Sequence, residues 1–338
     1  MKKMKKIIYI IFAIIFISCA TFFKSDEKLI NYVDPFIGSG GHGHVFVGAN
    51  VPFGGVQVGP TNFNKGWDWS SSYHHTDSIV KGFCHINVSG TGMSDLGELT
   101  IMPATGELKT GAGTQENHMA GYSSLYRKNK EFATAGYYKV HLERYDIDVE
   151  LTATERVGLH NYIFPNAENS RIIIDLGEGS ADRPTETYIK KVNDTLFEGH
   201  RFSTGWARDQ REYFSLIISK PVSDFIIYDR HKKYKGIERK GDYVKGFLEF
   251  STEKDEKIMV KMGISTVSSK NALENMMIEL PHWDFDRVKK NAEQKWEKEL
   301  TKIKIKTKDK KKKRVFYTAM YHTMIAPNLY HDLNGEYR

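Results

Sequence analysis

Residues 137–164, YYKVHLERYDIDVELTATERVGLHNYIF, alternate polar and apolar side chains with period two and break once, near Tyr145-Asp146. Successive side chains on a strand point to opposite faces, so a stretch of this kind fits a half-buried sheet and little else. Further strand candidates follow at 171–175, 187–192, 196–201, 213–219, 224–228, 245–250 and 257–264. Many short strands between turn signals, with no helical runs among them, predict a large antiparallel β-sandwich rather than βαβ units.

The period changes after residue 268. SKNALENMMIEL and HWDFDRVKKNAEQKWEKEL carry apolar residues at helical spacing, Pro281 divides them, and Asp284 is placed to cap the second. IKIKT (303–307) reads as one more strand, and DKKKKRVFYTAMYHTMIA (309–326) as a helix ended by Pro327. The chain therefore reads as mainly β: a sandwich over 30–268, a helical linker over 269–306, and the start of a further helical region over 307–338. Phe316, Tyr317, Met320 and Tyr321 are expected to form an exposed apolar face on that last helix, one that invites association.

At the other end, residues 1–19 read as an export signal. Basic MKKMKK precedes the apolar run IIYIIFAIIFI, which is short for a membrane span, and Ser18-Cys19-Ala20 follows. A small residue before cysteine predicts a lipoprotein signal, with Cys19 lipidated and 20–29 a tether. The alternative is a soluble exported protein cut nearby. Cys84 is then the only cysteine left, so no intramolecular disulfide is expected; next to His85 it reads as a buried structural thiol or, less simply, a nucleophile. The net charge of +7 comes largely from the leader and from the run KIKIKTKDKKKKR (302–314). No aromatic residues interleave with that run to stack on bases, so it is expected to be a solvated face, with no nucleic-acid partner.

The chemistry-bearing residues crowd into 38–103. GSGGHGH (38–44) lacks the Gly-Lys-Ser/Thr of a phosphate loop, and its glycines read as turn formers. His42, His44, His74, His75, His85 and His118 lie close in sequence; His42-x-His44 and His74-His75 have spacings that support zinc, although no HExxH occurs. GWDWSSSYHH (66–75) holds two of the chain's five tryptophans. If extended, it puts Trp67 and Trp69 on one face and Asp68 on the other. Indole faces pack on the C–H face of a sugar while Asp and His take its hydroxyls; the competing reading is that both indoles are core. HINVSGTGMSDLGELTIMP (85–103) is a second polar loop, without the Gly-x-Ser-x-Gly elbow of a serine hydrolase.

In order along the chain, YVDPFIGSGGHGHVFVGANVPFGGVQVGP, GWDWSSSYHH, GFCHINVSGTGMSDLGELTIMP, LPHWDFDRVKKNAEQKWEKEL and FYTAMYHTMIAPNLYHDLNGEYR resemble glycoside hydrolase family 92 from about residue 31 to the last residue. Val47, Gly55 and Gly59 depart from that pattern, where proline, methionine and serine would be expected. The resemblance implies an exported, calcium-dependent, inverting exo-α-mannosidase, α-1,2-directed, acting on mannose-rich glycans. It implies an N-terminal β-sandwich joined by linker helices to an (α/α)6 barrel, of which this chain holds the first helix. The catalytic acid and base and the calcium ligands are then expected beyond Arg338, and the 338 residues alone are expected to be inactive. Trp67, Asp68, Trp69, His74, His85 and Asp332 become the candidate sugar contacts. A lipid anchor would hold the protein in the bacterial periplasm or outer membrane. Two other readings compete: a non-catalytic carbohydrate-binding lipoprotein, and a zinc hydrolase using the histidine cluster.

Overall fold

The computed structural model describes residues 27–338, so the leader and Cys19 lie outside the described residues. Two antiparallel sheets dominate it. One, of eight strands, runs through Ala49–Asn50, Gln57–Thr61, Gly82–Cys84, Thr100–Thr105, Ala167–Asp175, Val244–Thr252, Asp224–Asp229 and Lys232–Tyr234. The other, of nine, runs through Glu238–Gly241, Arg183–Lys191, Leu196–Thr204, Gln210–Ile218, Glu256–Ser265, Val157–Phe164, Ile147–Ala153, Tyr137–Leu142 and Glu131–Thr134.

The period-two stretch becomes three consecutive strands of the nine-stranded sheet. Ile147, Val149, Leu151 and Ala153 are buried, whereas Asp148 and Glu150 between them are not. The break falls where predicted, and Asp146 turns the chain at φ +52°. Inward side chains of both sheets, among them Val58, Ile101, Ile172 and Phe247 from one and Val149, Leu151, Phe214 and Val260 from the other, form a single core.

Three helices follow: α1 (Ser269–Glu279), α2 (Phe285–Leu300) and α3 (Lys310–His322). Each has a side-chain N-cap, from Ser268, Asp284 and Asp309, which satisfies backbone N–H groups that the first turn leaves unpaired. α1 lies on Gln210–Ile218 and Glu256–Ser265, with Met276 and Leu280 packed against Val157 and Leu159. α2 buries Val288, Ala292, Trp296 and Leu300, spaced four apart along one face. It approaches the sheet at Gly136, where an added Cβ would sit 2.9 Å from the Ala292 Cβ.

Two expectations need correction here. Tyr317 and Tyr321 are not exposed but buried, at 1% and 0%, in a second core with Ile30, Tyr32, Val33, Trp296 and Leu300, against which Phe316 and Met320 also pack. The chain's own 3₁₀ turn at Leu29–Tyr32 supplies the missing partner, pinned by Glu297, whose carboxylate accepts from the Leu29 and Ile30 amides at 3.0 and 2.9 Å. IKIKT is not a strand. Its Ile305 amide donates to the Tyr317 hydroxyl, and the segment lies as a loop against α3 rather than along a sheet edge.

Candidate functional site

Glycines shape the first part of the site. Gly38 and Gly41 take positive φ, and a Cβ on Gly43 would lie 1.8 Å from the Gly38 carbonyl oxygen. The 38–44 loop therefore folds back on itself in a way side chains forbid. Gly66, at φ +112°, then turns the chain into one 3₁₀ turn, Trp67–Trp69, closed by the Ser70 hydroxyl on the Trp67 carbonyl. An extended GWDWSSSYHH is thus overturned, and with it the shared face of the two tryptophans.

Trp67 is 56% exposed, its ring against His42 and His44 and its Nε1–H donating to the Gly92 carbonyl. Trp69 turns inward, stacked on His74 at 4.3 Å and donating to Asp77 at 3.0 Å. His74 is buried; its ring nitrogens meet the Thr76 hydroxyl and the Gly41 carbonyl, so it braces the glycine loop rather than facing a ligand. Asp68 meets His42 at 2.6 Å and His44 at 3.5 Å, and the His42 hydrogen bond holds its carboxyl below the usual range.

His85 is also corrected. It is sealed between the sheets at 0% exposure, with Nδ1 on the Leu99 carbonyl at 2.7 Å and Nε2 against His160 Nε2 at 2.9 Å. Burial pushes it down to about 4 and His160 well below its ordinary value. Neither ring can reach a ligand. Cys84 is likewise buried, its thiol pushed up to about 11 by burial, which is the state of an inert thiol.

The second polar loop runs from Trp67 toward a cavity. Thr91 and Met93, flanking Gly92, line a recess of about 220 Å³ with Val88, Asp95 and Trp206. Val88 and Asp95 also line the adjoining cavity of about 370 Å³, whose walls include Gln210, Arg211, Glu212, Arg156, Ser265 and the 328–332 segment. Trp206 is 71% exposed at the tip of the turn joining Leu196–Thr204 to Gln210–Ile218. Sequence reading missed it, although Gly205-Trp206 repeats the Gly66-Trp67 signature: an indole on a glycine turn has no core to enter.

Asp332 is placed at this cavity but is not free. Its carboxylate accepts from Ser265 Oγ, Asn271 Nδ2 and Asn275 Nδ2 at 2.7, 2.8 and 2.7 Å, leaving it 4% exposed. Arg156, paired to Glu279 at 2.7 Å, donates to the His331 carbonyl and fixes the same segment. Glu212, unnoticed in the sequence, is pushed well above the usual carboxylate range by burial, with Glu98 adding to the effect and Arg201 opposing it. Its carboxyl lines the cavity, where it can share a hydrogen bond with a ligand hydroxyl. Beneath the floor, Arg201 is fully buried between Glu98 and Asp182. Gly55 lies in the cavity wall, where a Cβ would stand 3.1 Å from the Leu329 carbonyl, so a larger side chain there would press on the 328–332 segment. A larger cavity, of about 500 Å³ between α2 and the sheet, contains none of the candidate residues.

The exposed Trp206 thus borders a recess that meets the larger cavity at Val88 and Asp95, with Trp67 bonded to Gly92 beside it, an arrangement that can seat a ring with one apolar face and several hydroxyls. Residues 32–265 match the glycosyl hydrolase family 92 N-terminal domain, and 271–338 the glycosyl hydrolase family 92 catalytic domain. The chain is 33% identical to the family GH92 α-mannosidase BT3965 from Bacteroides thetaiotaomicron, whose structure is known in complex with mannoimidazole. The TM-score is 0.89, covering 92% of this chain and 42% of that one. The family GH92 inverting mannosidase BT2199 from Bacteroides thetaiotaomicron VPI-5482 has the same fold, at 23% identity and TM-score 0.80 over 92% of this chain and 42% of its own. An uncharacterized secreted glycosidase from Arthroderma benhamiae is 26% identical over 345 residues, 92% of this chain and 43% of the relative. The chain therefore spans less than half the length of the relatives it matches.

Proposed function

The chain belongs to glycosyl hydrolase family 92, and from that premise we propose that it is the N-terminal part of an exported exo-α-mannosidase acting with inversion on mannose-rich glycans, α-1,2 linkages first. The observation that carries this reading is the exposed Trp206 on the 220 Å³ recess that joins the 370 Å³ cavity at Val88 and Asp95, in a chain 33% identical to an α-mannosidase.

In this reading Trp67 and Trp206 offer apolar faces to sugar rings. Asp95, Gln210 and Glu212 exchange hydrogen bonds with hydroxyls, and Asp332 accepts one more bond beyond the three it has. Trp69, Asp68 and His74 act indirectly, by holding the turn that presents Trp67. Inverting hydrolysis needs an acid and a base about 6.5–9.5 Å apart with a water between. We assign neither role to this chain and place both in the part of the family's length that it does not span. The 338 residues alone are then expected to bind weakly and turn nothing over.

Calcium takes about six to eight oxygen ligands. Among the described residues the one grouping of three candidate ligands is His42, His44 and Asp68, two nitrogens and a carboxylate, which does not fit calcium. The calcium requirement is therefore proposed for the remainder of the enzyme, and no step is drawn through it. Cys19, outside the described residues, is proposed as the lipid anchor. Among the described residues no helix is long and apolar enough to cross a membrane.

The test is to assay the complete protein on an aryl α-mannoside and on α-1,2-mannobiose, with and without a chelator, following the product anomer by NMR. Release of β-mannose, abolished by the chelator, is expected. Hydrolysis of other glycosides but not of α-mannosides would overturn the reading, and turnover by the 338 residues alone would show that the catalytic carboxylates lie within them.

A further inference from the structure

We propose that His42, His44 and Asp68 form a zinc site that ties the 38–44 loop to the turn carrying Trp67. One ligand atom from each lies within 4.8 Å of the other two. His44 Nε2 stands 3.5 Å from Asp68 Oδ1, close to the separation of two ligands on a tetrahedral ion with bonds of about 2.0–2.2 Å. His42 Nδ1 is nearer, at 2.6 Å from the same oxygen, and its side chain, 73% exposed, is free to swing outward by the fraction of an ångström that an ion needs.

A second observation is independent of that spacing. His44 is only 6% exposed, and its Nε2 has no hydrogen-bond partner. A buried ring nitrogen aimed at a carboxylate without bonding to anything is what the pocket would show if a cation belonged between them. A simple His42–Asp68 pair explains two of the three residues and leaves the third unaccounted for. The main chain at His44 is held in place. Gly43 has no room for a side chain, His44 itself sits at φ +54°, and its carbonyl accepts from the Gly90 amide at 2.7 Å and from the Ser71 hydroxyl.

The donor set selects the metal. Two imidazoles and one carboxylate suit zinc, with a fourth position open to solvent on the His42 side. The consequence is local rigidity: the Trp67 ring lies 5.1 Å from His42 and 4.3 Å from His44, so an ion there fixes the indole from behind. The site does not depend on the sugar reading, because metal uptake is measured directly.

The experiment is calorimetric titration of the metal-stripped full chain with Zn²⁺, together with the absorption spectrum of the Co²⁺ form. Expected are one strong zinc equivalent per chain, a tetrahedral cobalt spectrum and no competition from calcium. Removing a ligand outright should cost more than the roughly 10–100-fold that loss of a ligand's supporting hydrogen bond costs. His42→Ala and Asp68→Asn alter exposed or half-exposed groups, so they test this without relying on a buried His44 variant that fails to fold. No zinc uptake by the wild type, an octahedral cobalt spectrum, or uptake unchanged in either variant would overturn the proposal.

Discussion

Acidification should strike this protein first at His85 and His160. The hydrogen bonds assign both rings as neutral: His85 Nδ1–H donates to the Leu99 carbonyl, His160 Nε2–H donates to His85 Nε2, and the Tyr162 hydroxyl donates to His160 Nδ1. A proton added to His85 Nε2 would point straight at the one already on His160. In the unfolded chain His85 takes its proton near 6.5, in the fold only near 4. Between those values the unfolded state binds more protons, so stability is fully present above pH 6.5 and falls as the pH drops. Integrated from pH 7 to pH 5, this one group removes about 2 kcal/mol, a large share of the roughly 5–15 kcal/mol that a domain has. Urea unfolding at the two pH values measures the loss, and His85→Gln isolates it. Glutamine can still accept from His160 but cannot titrate, so the variant should start less stable and lose about 2 kcal/mol less on acidification. If His85→Gln and the wild type lost the same amount, the neutral-pair argument would be refuted.

Other outcomes are equally specific. Trp206→Ala should leave stability within about 0.5 kcal/mol and, in the complete enzyme, lower kcat/KM by up to about tenfold, the scale of one aromatic contact; unchanged kinetics would remove Trp206 from the rim. Trp296→Ala should cost about 3–5 kcal/mol, since this fully buried indole donates to the Asn50 carbonyl and packs 4.5 Å from Tyr321; thermal unfolding checks it. Cys19→Ala should shift the protein from the membrane pellet to the soluble fraction and block precursor processing, and unaltered fractionation would dispose of the lipid anchor.

The strands were legible because a half-buried sheet writes itself in period two. Ile147 to Ala153 shows this, with each apolar residue inward and Asp148 and Glu150 outward. IKIKT has the same alternation and is a loop, since the pattern cannot say whether a free sheet edge lies alongside. The strand expected over 196–201 runs on to Thr204, and its buried face is Phe197, Gly199, Arg201 and Ser203, which no hydropathy reading would choose. Arg201 belongs inside only because Glu98 and Asp182 arrive there from distant segments. At the site, the glycine loops were readable as turns, but their direction was not. Gly66 at positive φ decides that Trp67 faces solvent and Trp69 does not. The His85–His160 contact escaped notice for a similar reason: Gly158, where a Cβ would come 2.7 Å from the His85 ring, makes room for it across the sandwich.

The clamp on Leu29–Tyr32 has a bearing on how the polypeptide is made. Its partners, Glu297 among them, lie 267 and 268 positions downstream, so the first described turn has nothing to settle on while the ribosome works through the sandwich. Sequential strands such as Ile147–Ala153 and Val157–Phe164 can pair as they emerge, but Phe46 and Ala135 lack the cover that α2 and α3 later give them. The entropic toll of closing so wide a loop grows only logarithmically with its length, and it is the wait rather than the closure that is costly. For that interval a nascent molecule displays an apolar seam to its neighbours on the polysome, the kind of surface on which holding chaperones act. Only once α2 and α3 have formed can Leu29–Tyr32 take its place beside them.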